Sequence, residues 1–148
     1  MKILVINGPN LNMLGIREPG IYGKNTFADL LRLLDETASA EGLEVEQYQS
    51  NHEGDLVDWI QDAYGVYDGI VLNPGAYTHT SIALLDALLA VGIPTVEVHL
   101  SDLKTREPFR QISYIRPACA ATFMGLGIEG YRRGMEFLEG KIRQELHT

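Results

Sequence analysis

The chain has 148 residues, the size of one domain and enough to bury a sizeable core. Apolar residues make up 45% and charged residues 22%, an ordinary globular balance, but the net charge of −8 argues against a general binder of nucleic acid or anionic membrane, since both need basic surface. One cysteine, Cys119, allows no internal disulfide and no cysteine-based metal site, and no apolar run is long enough to span a bilayer.

Met1 to Val5 begin directly as strand, so no signal peptide is expected, and the expectation is a single cytoplasmic domain over residues 1–148 with Cys119 as an inert core residue. Lys2 to Asn7 reads as a buried strand, a run of Ile, Leu and Val ended by Gly8-Pro9. No periodicity follows until Asn25. Thr26 is the expected N-cap of a helix whose apolar face is Phe27, Leu30, Leu31, Leu34 and Ala38 and which Gly42 stops. Leu43 to Gln49 alternates as a strand. Ser50 to Glu53 opens a second helix marked by Leu56, Val57, Ile60, Ala63 and Tyr64. Gly69 to Asn73 is a third strand, stopped by Pro74-Gly75, and Ser81 to Ala90 a third helix, closed by Gly92. Thr95 to His99 is a fourth strand, Ala121 to Met124 a weaker fifth, and Tyr131, Met135, Leu138 and Ile142 form the stripe of a C-terminal helix. Strands alternating with helices predict an α/β fold: a five-stranded parallel sheet with helices on both faces, a three-layer αβα sandwich with the flavodoxin-like strand order 2-1-3-4-5.

Ligands of such sheets bind beyond the carboxyl ends of the strands, so the segments after strands one, three and four carry most information. The first, Asn7 to Gly23, is far longer than a usual βα loop and matches neither the phosphate-binding loop nor the dinucleotide fingerprint. It reads either as a solvated Ω-loop with Tyr22 as packing or as a lid that brings Arg17 and Tyr22 over a substrate. The second, Asn73 to Ser81, leads small and hydroxylated residues into a helix start, where free backbone N–H groups suit an anion; His79 reads equally as a cap or as a ligand contact. In the third, Glu97 and His99 lie two apart on a strand and share a face, either as a structural link or as a carboxylate that fixes the imidazole tautomer. Lys104, Arg106, Arg110 and Arg116 then form a basic island within an acidic chain, with Lys104 and Arg116 favoured as solvated surface. No HExxH or HxH spacing supports a metal, and no GxSxG elbow supports a serine hydrolase.

The motif Asn7-Gly8-Pro9-Asn10-Leu11-Asn12, followed by Leu14-Gly15, Arg17-Glu18-Pro19 and Tyr22-Gly23, closely resembles the opening of the type II 3-dehydroquinate dehydratases. Gln49-Ser50-Asn51 with Glu53-Gly54, the run Asn73 to Ser81, Glu97 to Ser101, and Arg106 through Phe109-Arg110 continue the resemblance in order, as far as Gly130-Tyr131. The resemblance implies a flavodoxin-like homo-oligomer, a dodecamer built from trimers, that needs no metal or cofactor and dehydrates a small anion, 3-dehydroquinate, to 3-dehydroshikimate in the shikimate pathway. It assigns Tyr22 as the base that makes an enolate, Arg17 beside it, His99 as the acid oriented by Glu97, and Asn10 at the water that steadies the enolate. Asn73, Gly75, His79, Arg110 and the backbone of Leu100 and Ser101 would hold the substrate, and Asp86 would reach the site of a neighbouring subunit. Leu85, where many members carry arginine, Pro108, in place of a usual glutamate, and Asp102-Leu103-Lys104 depart from the family pattern. A binding module that holds a small anion without chemistry is the alternative reading; against it stands the triplet Arg17, Tyr22 and His99, since a binder needs no poised acid and base. A flavin role is weaker still, for want of a phosphate cradle.

General chemistry supports such roles. An ordinary phenol is only about a thousandth ionised at pH 7, and overcoming this takes roughly 4 kcal/mol, much of which a cation within a few ångströms supplies in a dry site. Hydroxide is a poor leaving group, so an acid such as His99 contributes a factor of roughly 10²–10⁴.

Overall fold

The computed structural model describes residues 1–16 and 18–146. Five strands, β1 (Lys2–Asn7), β2 (Glu44–Gln49), β3 (Gly69–Asn73), β4 (Thr95–His99) and β5 (Ala121–Met124), form one sheet in the order β2-β1-β3-β4-β5. Every neighbouring pair is parallel. Among the described residues five α-helices accompany them: α1 (Pro19–Tyr22), α2 (Phe27–Glu41), α3 (Glu53–Asp62), α4 (Ile82–Val91) and α5 (Glu129–Leu146). The three-layer flavodoxin-like architecture expected from the alternation of elements is the one observed.

Strand side chains alternate between faces, so the sheet makes two cores. Ile3, Val5, Val71, Val96 and Val98 meet Leu30, Leu33 and Leu34 of α2 and Tyr131, Met135, Leu138 and Ile142 of α5. Leu4, Ile6, Ile70 and Leu72 meet Leu56 and Ile60 of α3 and Leu84, Ala87 and Leu88 of α4. Burying a side chain of this size is worth about 1.5–3 kcal/mol, and residues on both faces of β1, β3 and β4 are buried, which explains their unbroken apolar runs. Edge strand β2 alternates instead between exposed and half-buried residues.

Local chemistry sets the ends of α2. Thr26 accepts from the Asp29 amide at 3.1 Å while its own amide donates to Asp29 at 2.9 Å, a reciprocal capping box, and Gly42 at φ 66° ends the helix. Two expectations are corrected. Tyr64 does not extend the apolar stripe of α3: the helix stops at Asp62, the chain turns through Gly65 at φ 76°, and Tyr64 stands exposed. The segment before Asn25 is not irregular throughout. Leu11–Met13 forms a 3₁₀ turn and α1 a single helical turn, and Leu11 and Leu14, three residues apart, are buried in the α2–α5 core.

The carboxyl edge of the sheet is built level. Asn7 pairs in register with both Gln49 and Asn73. The loops after β1 and β3 then touch backbone to backbone. A Cβ on Gly8 would lie 2.4 Å from the Pro74 carbonyl oxygen, and one on Gly75, at φ 59°, would lie 2.9 Å from that of Pro9. Neither position admits a side chain, so Gly8-Pro9 and Pro74-Gly75 lock together and form one side of a pocket.

Candidate active site

The pocket opens at the carboxyl edge and takes its lining from all three segments singled out in the sequence. From the first come Asn10 and Tyr22. Asn10 has a left-handed backbone, φ 71°, which asparagine tolerates, and its amide donates to Asn51 Oδ1 at 3.0 Å. Asn51 is itself tied to Gln49 Nε2 at 3.2 Å, and its carbonyl accepts from Tyr77 at 2.8 Å. Tyr22 closes α1, half-buried against the α2–α5 core. Arg17 falls outside the described residues.

Asn73, Gly75 and His79 come from the second segment. Asn73 is held from behind: its Nδ2 donates to the Tyr131 hydroxyl at 2.9 Å, and its Oδ1 accepts from the Gly75 amide at 3.2 Å. Tyr131, fully buried on α5, in turn donates to Asn7 Oδ1 at 2.5 Å, and Asn7 donates to Gln47 at 2.9 Å. Burial pushes the Tyr131 phenol well above its usual range, so it stays a neutral strut. His79 Nδ1 lies 2.7 Å from the Ile112 carbonyl. A carbonyl can only accept, so Nδ1 carries the proton. Burial holds the ring below the usual histidine range, which leaves neutral Nε2 as an acceptor.

The third segment supplies His99, Leu100, Ser101, Arg106 and Arg110. His99 is buried, with Nε2 2.5 Å from Glu97 Oε2, so the nitrogen that remains for a ligand is Nδ1. Glu97 does not line the pocket; it stands behind His99 with no exposed surface. Burial alone would raise its carboxyl, but the hydrogen bonds from His99 and Arg116 outweigh it and hold the group down at about 2. Ser113 and Thr122 add hydrogen bonds at 2.9 and 3.2 Å. Arg110 reaches the pocket but also meets Glu107 at 2.5 Å.

Three outcomes were not foreseen from the sequence. Arg116, read there as solvated surface, instead grips both oxygens of Glu97 at 3.1 Å, because the end of the basic island folds back onto β4. Arg106, noted in that island and in the family-like run to Arg110 but given no role, donates to the Tyr22 hydroxyl at 3.2 Å and to Ser101 Oγ at 3.0 Å, with its guanidinium 5.2 Å from the Tyr22 ring centre. The Tyr131–Asn7 strut also escaped notice; a polar tip on an otherwise apolar stripe was its one signal. Asp86 lies on the exposed face of α4, and this chain's own pocket does not include it. Cys119 is half-buried, its thiol pushed up to about 12 by burial first and by Glu97 second, which keeps it unreactive. Among the described residues, no cluster of three His, Cys, Asp or Glu side chains is arranged to hold a metal.

A phenol beneath a guanidinium and an imidazole backed by a carboxylate thus share one pocket with a second guanidinium. The combination suits proton removal and proton delivery on a small anion. Comparison with known proteins points the same way. Residues 1–139 match the family model for class II dehydroquinases. The chain is 51% identical to 3-dehydroquinate dehydratase of Clostridium acetobutylicum, covering 96% of this chain and 99% of the relative. It is 55% identical to catabolic 3-dehydroquinase 1 of Aspergillus terreus, covering 97% and 94%. Its fold matches the crystal structure of type II dehydroquinase from Butyrivibrio crossotus with a TM-score of 0.92 at 51% identity, over 94% of this chain and 97% of that one.

Proposed function

The chain belongs to the class II dehydroquinase family and is a lyase of that kind, a 3-dehydroquinate dehydratase, and we propose that it works through an enolate with Tyr22 as general base and His99 as general acid. The Tyr22 phenolate takes a proton from C2, next to the ketone, and the electron pair moves onto the ketone oxygen. The enolate then collapses as the C1–O bond breaks, and the leaving hydroxyl takes a proton from His99 Nδ1 and departs as water. The product is the conjugated enone 3-dehydroshikimate. For the next turnover Tyr22 gives up its proton and His99 regains one. No cofactor or metal enters these steps.

The observation that carries this reading is the pairing of a cation-capped phenol with a carboxylate-backed imidazole in one pocket. Arg106 supplies positive charge where the phenolate forms. Ionised Glu97 fixes the imidazole tautomer and supports its charged form. Arg110 offers a planar fork to the substrate carboxylate, and neutral His79, Asn73, the Gly75 backbone and the Leu100–Ser101 backbone address its oxygens. Asn10 is assigned to the water beside the enolate and Arg17 to the neighbourhood of Tyr22, both on the family resemblance, and the stretch that carries Arg17 and Tyr22 is assigned as a lid. The same reaction serves aromatic biosynthesis and quinate breakdown.

Turnover decides the roles. Tyr22→Phe and His99→Ala should each lower enone formation from 3-dehydroquinate by roughly 10²-fold or more, read as absorbance. Near-normal rates in either variant would remove that residue from its role.

The assembly is proposed to be a dodecamer of trimers, with Asp86 entering a neighbour's pocket. Its support is the exposed face of α4, where Ile82 and Leu89 stand beside Asp86. Light scattering should give twelve times the chain mass; a monomer would end this proposal. The cytoplasm is the proposed setting, in keeping with a lone unpaired cysteine.

A further inference from the structure

We propose that Arg116 is a positioning residue for the dehydration: by gripping both oxygens of Glu97, it fixes the carboxylate that orients His99 and sets the pH range in which the pair delivers its proton. The inference rests on the role of His99 given above. It begins with the geometry of a buried ion. Glu97 has no exposed surface, yet its carboxylate accepts five hydrogen bonds. Oε1 takes Arg116 Nε at 3.1 Å and Thr122 Oγ1 at 3.2 Å; Oε2 takes Arg116 Nη2 at 3.1 Å, Ser113 Oγ at 2.9 Å and His99 Nε2 at 2.5 Å. The hydroxyls bring no charge and rotate freely. The guanidinium brings a permanent charge and a planar fork, so it fixes the plane of the carboxylate and, through it, the angle of the imidazole.

Arg116 is itself well placed for this work. It opens a 3₁₀ turn, Arg116–Ala118, that follows Ile115, a fully buried member of the α3–α4 core. The turn is tied at both ends, by the Tyr114 amide to the Thr78 carbonyl at 2.9 Å and by the Ala120 amide to the Thr95 carbonyl at 2.8 Å. The side chain is 43% exposed, so its replacement opens no void in the core.

The electrostatic sign follows from treating Glu97 and His99 as one proton-binding pair. The groups that face the pair are Arg116 on its turn, the Cys119 thiol just beyond, the Ser113 and Thr122 hydroxyls, and, across the pocket, His79 and Arg110. Cys119 stays a neutral thiol, and burial holds His79 low. A cation beside the pair disfavours each added proton. Taking Arg116 away therefore raises the proton affinity of the pair, whichever member holds the proton. The imidazolium becomes a weaker acid and, with the carboxylate free to rotate, a less well aimed one.

The test uses Arg116→Met, Arg116→Gln and Arg116→Lys in the whole protein. The His99 ring is followed by NMR titration, with its resonance identified by its loss in His99→Gln, alongside kcat and KM across pH. For both neutral variants the ring midpoint should rise by about half to one pH unit. Their kcat at pH 7 should fall about tenfold, with KM within about twofold of the parent. Arg116→Lys keeps the charge and should titrate near the parent, while recovering only part of kcat because it lacks the fork. A purely structural arginine would change the denaturation midpoint and leave the titration in place; that result, in either neutral variant, would overturn the proposal. Absence of enone formation by the parent protein would refute the functional reading instead, and the ring titration would still decide whether Arg116 governs the pair.

Discussion

The His99 side of the pocket, proposed to supply the acid, and the Tyr22 side, proposed to supply the base, are secured by different means. His99 ends a central strand, is 5% exposed, and is braced by Glu97 and the three side chains that grip Glu97. Tyr22 ends a single helical turn that buries none of its residues, and its hydroxyl meets the pocket's other side through Arg106, which also ties to Ser101. His99 is thus set by the sheet itself. Tyr22 depends instead on a contact between two loops, which fixes it less firmly than a strand fixes His99.

That contrast can be broken at Arg106. In Arg106→Met the phenol loses the Arg106 guanidinium and the bridge to Ser101 disappears. Loss of a charge-assisted hydrogen bond of about 1.5–3 kcal/mol predicts a fall in kcat/KM of roughly 10- to 100-fold, with thermal stability changed less, since methionine keeps an apolar stem in the arginine's place. A rate unchanged within about twofold would mean that Arg106 does not serve the base. Among the sheet-borne groups, Tyr131→Phe removes the strut beneath Asn73 while keeping the ring in the core. Asn7 Oδ1 then lacks its donor and Asn73 Nδ2 its acceptor, at a cost of about 1–3 kcal/mol in unfolding free energy by denaturant titration. The smaller expected effect on catalysis is a rise in KM of about threefold as Asn73 loosens. Equal effects of the two changes on stability would erase the distinction between the buried Tyr131 strut and the Arg106 loop contact.

Much of this organisation is legible in the residues. Short apolar runs, one alternating segment and period-3.6 stripes yield the five strands and the four longer helices, and Thr26, Ser81, Gly42 and Gly92 mark helix ends that the structure retains. The strand-end rule leads to the pocket, since buried strands stopped by Gly8-Pro9 and Pro74-Gly75 must release their polar residues at one edge. What escaped are contacts made across long chain separations. Tyr22 and Arg106 are 84 residues apart, and Asn7 and Tyr131 are 124 apart. No local pattern encodes such pairs. Arg116 was misjudged for a related reason: a basic residue in a polar stretch looks solvated until the fold brings a buried carboxylate beneath it. The helical turns at Leu11–Met13 and α1 were missed because each is too short to display a period.

Proton exchange at substrate C2 separates the two sides most directly. In heavy water, 3-dehydroquinate would be incubated with His99→Ala and with Tyr22→Phe, and deuterium at C2 followed by NMR together with enone absorbance. With the base intact and the acid removed, His99→Ala should exchange the C2 proton while forming almost no enone; Tyr22→Phe should do neither. Enone formation by Tyr22→Phe at close to the parent rate, or C2 exchange retained in Tyr22→Phe and lost in His99→Ala, would contradict the division of labour between the two sides.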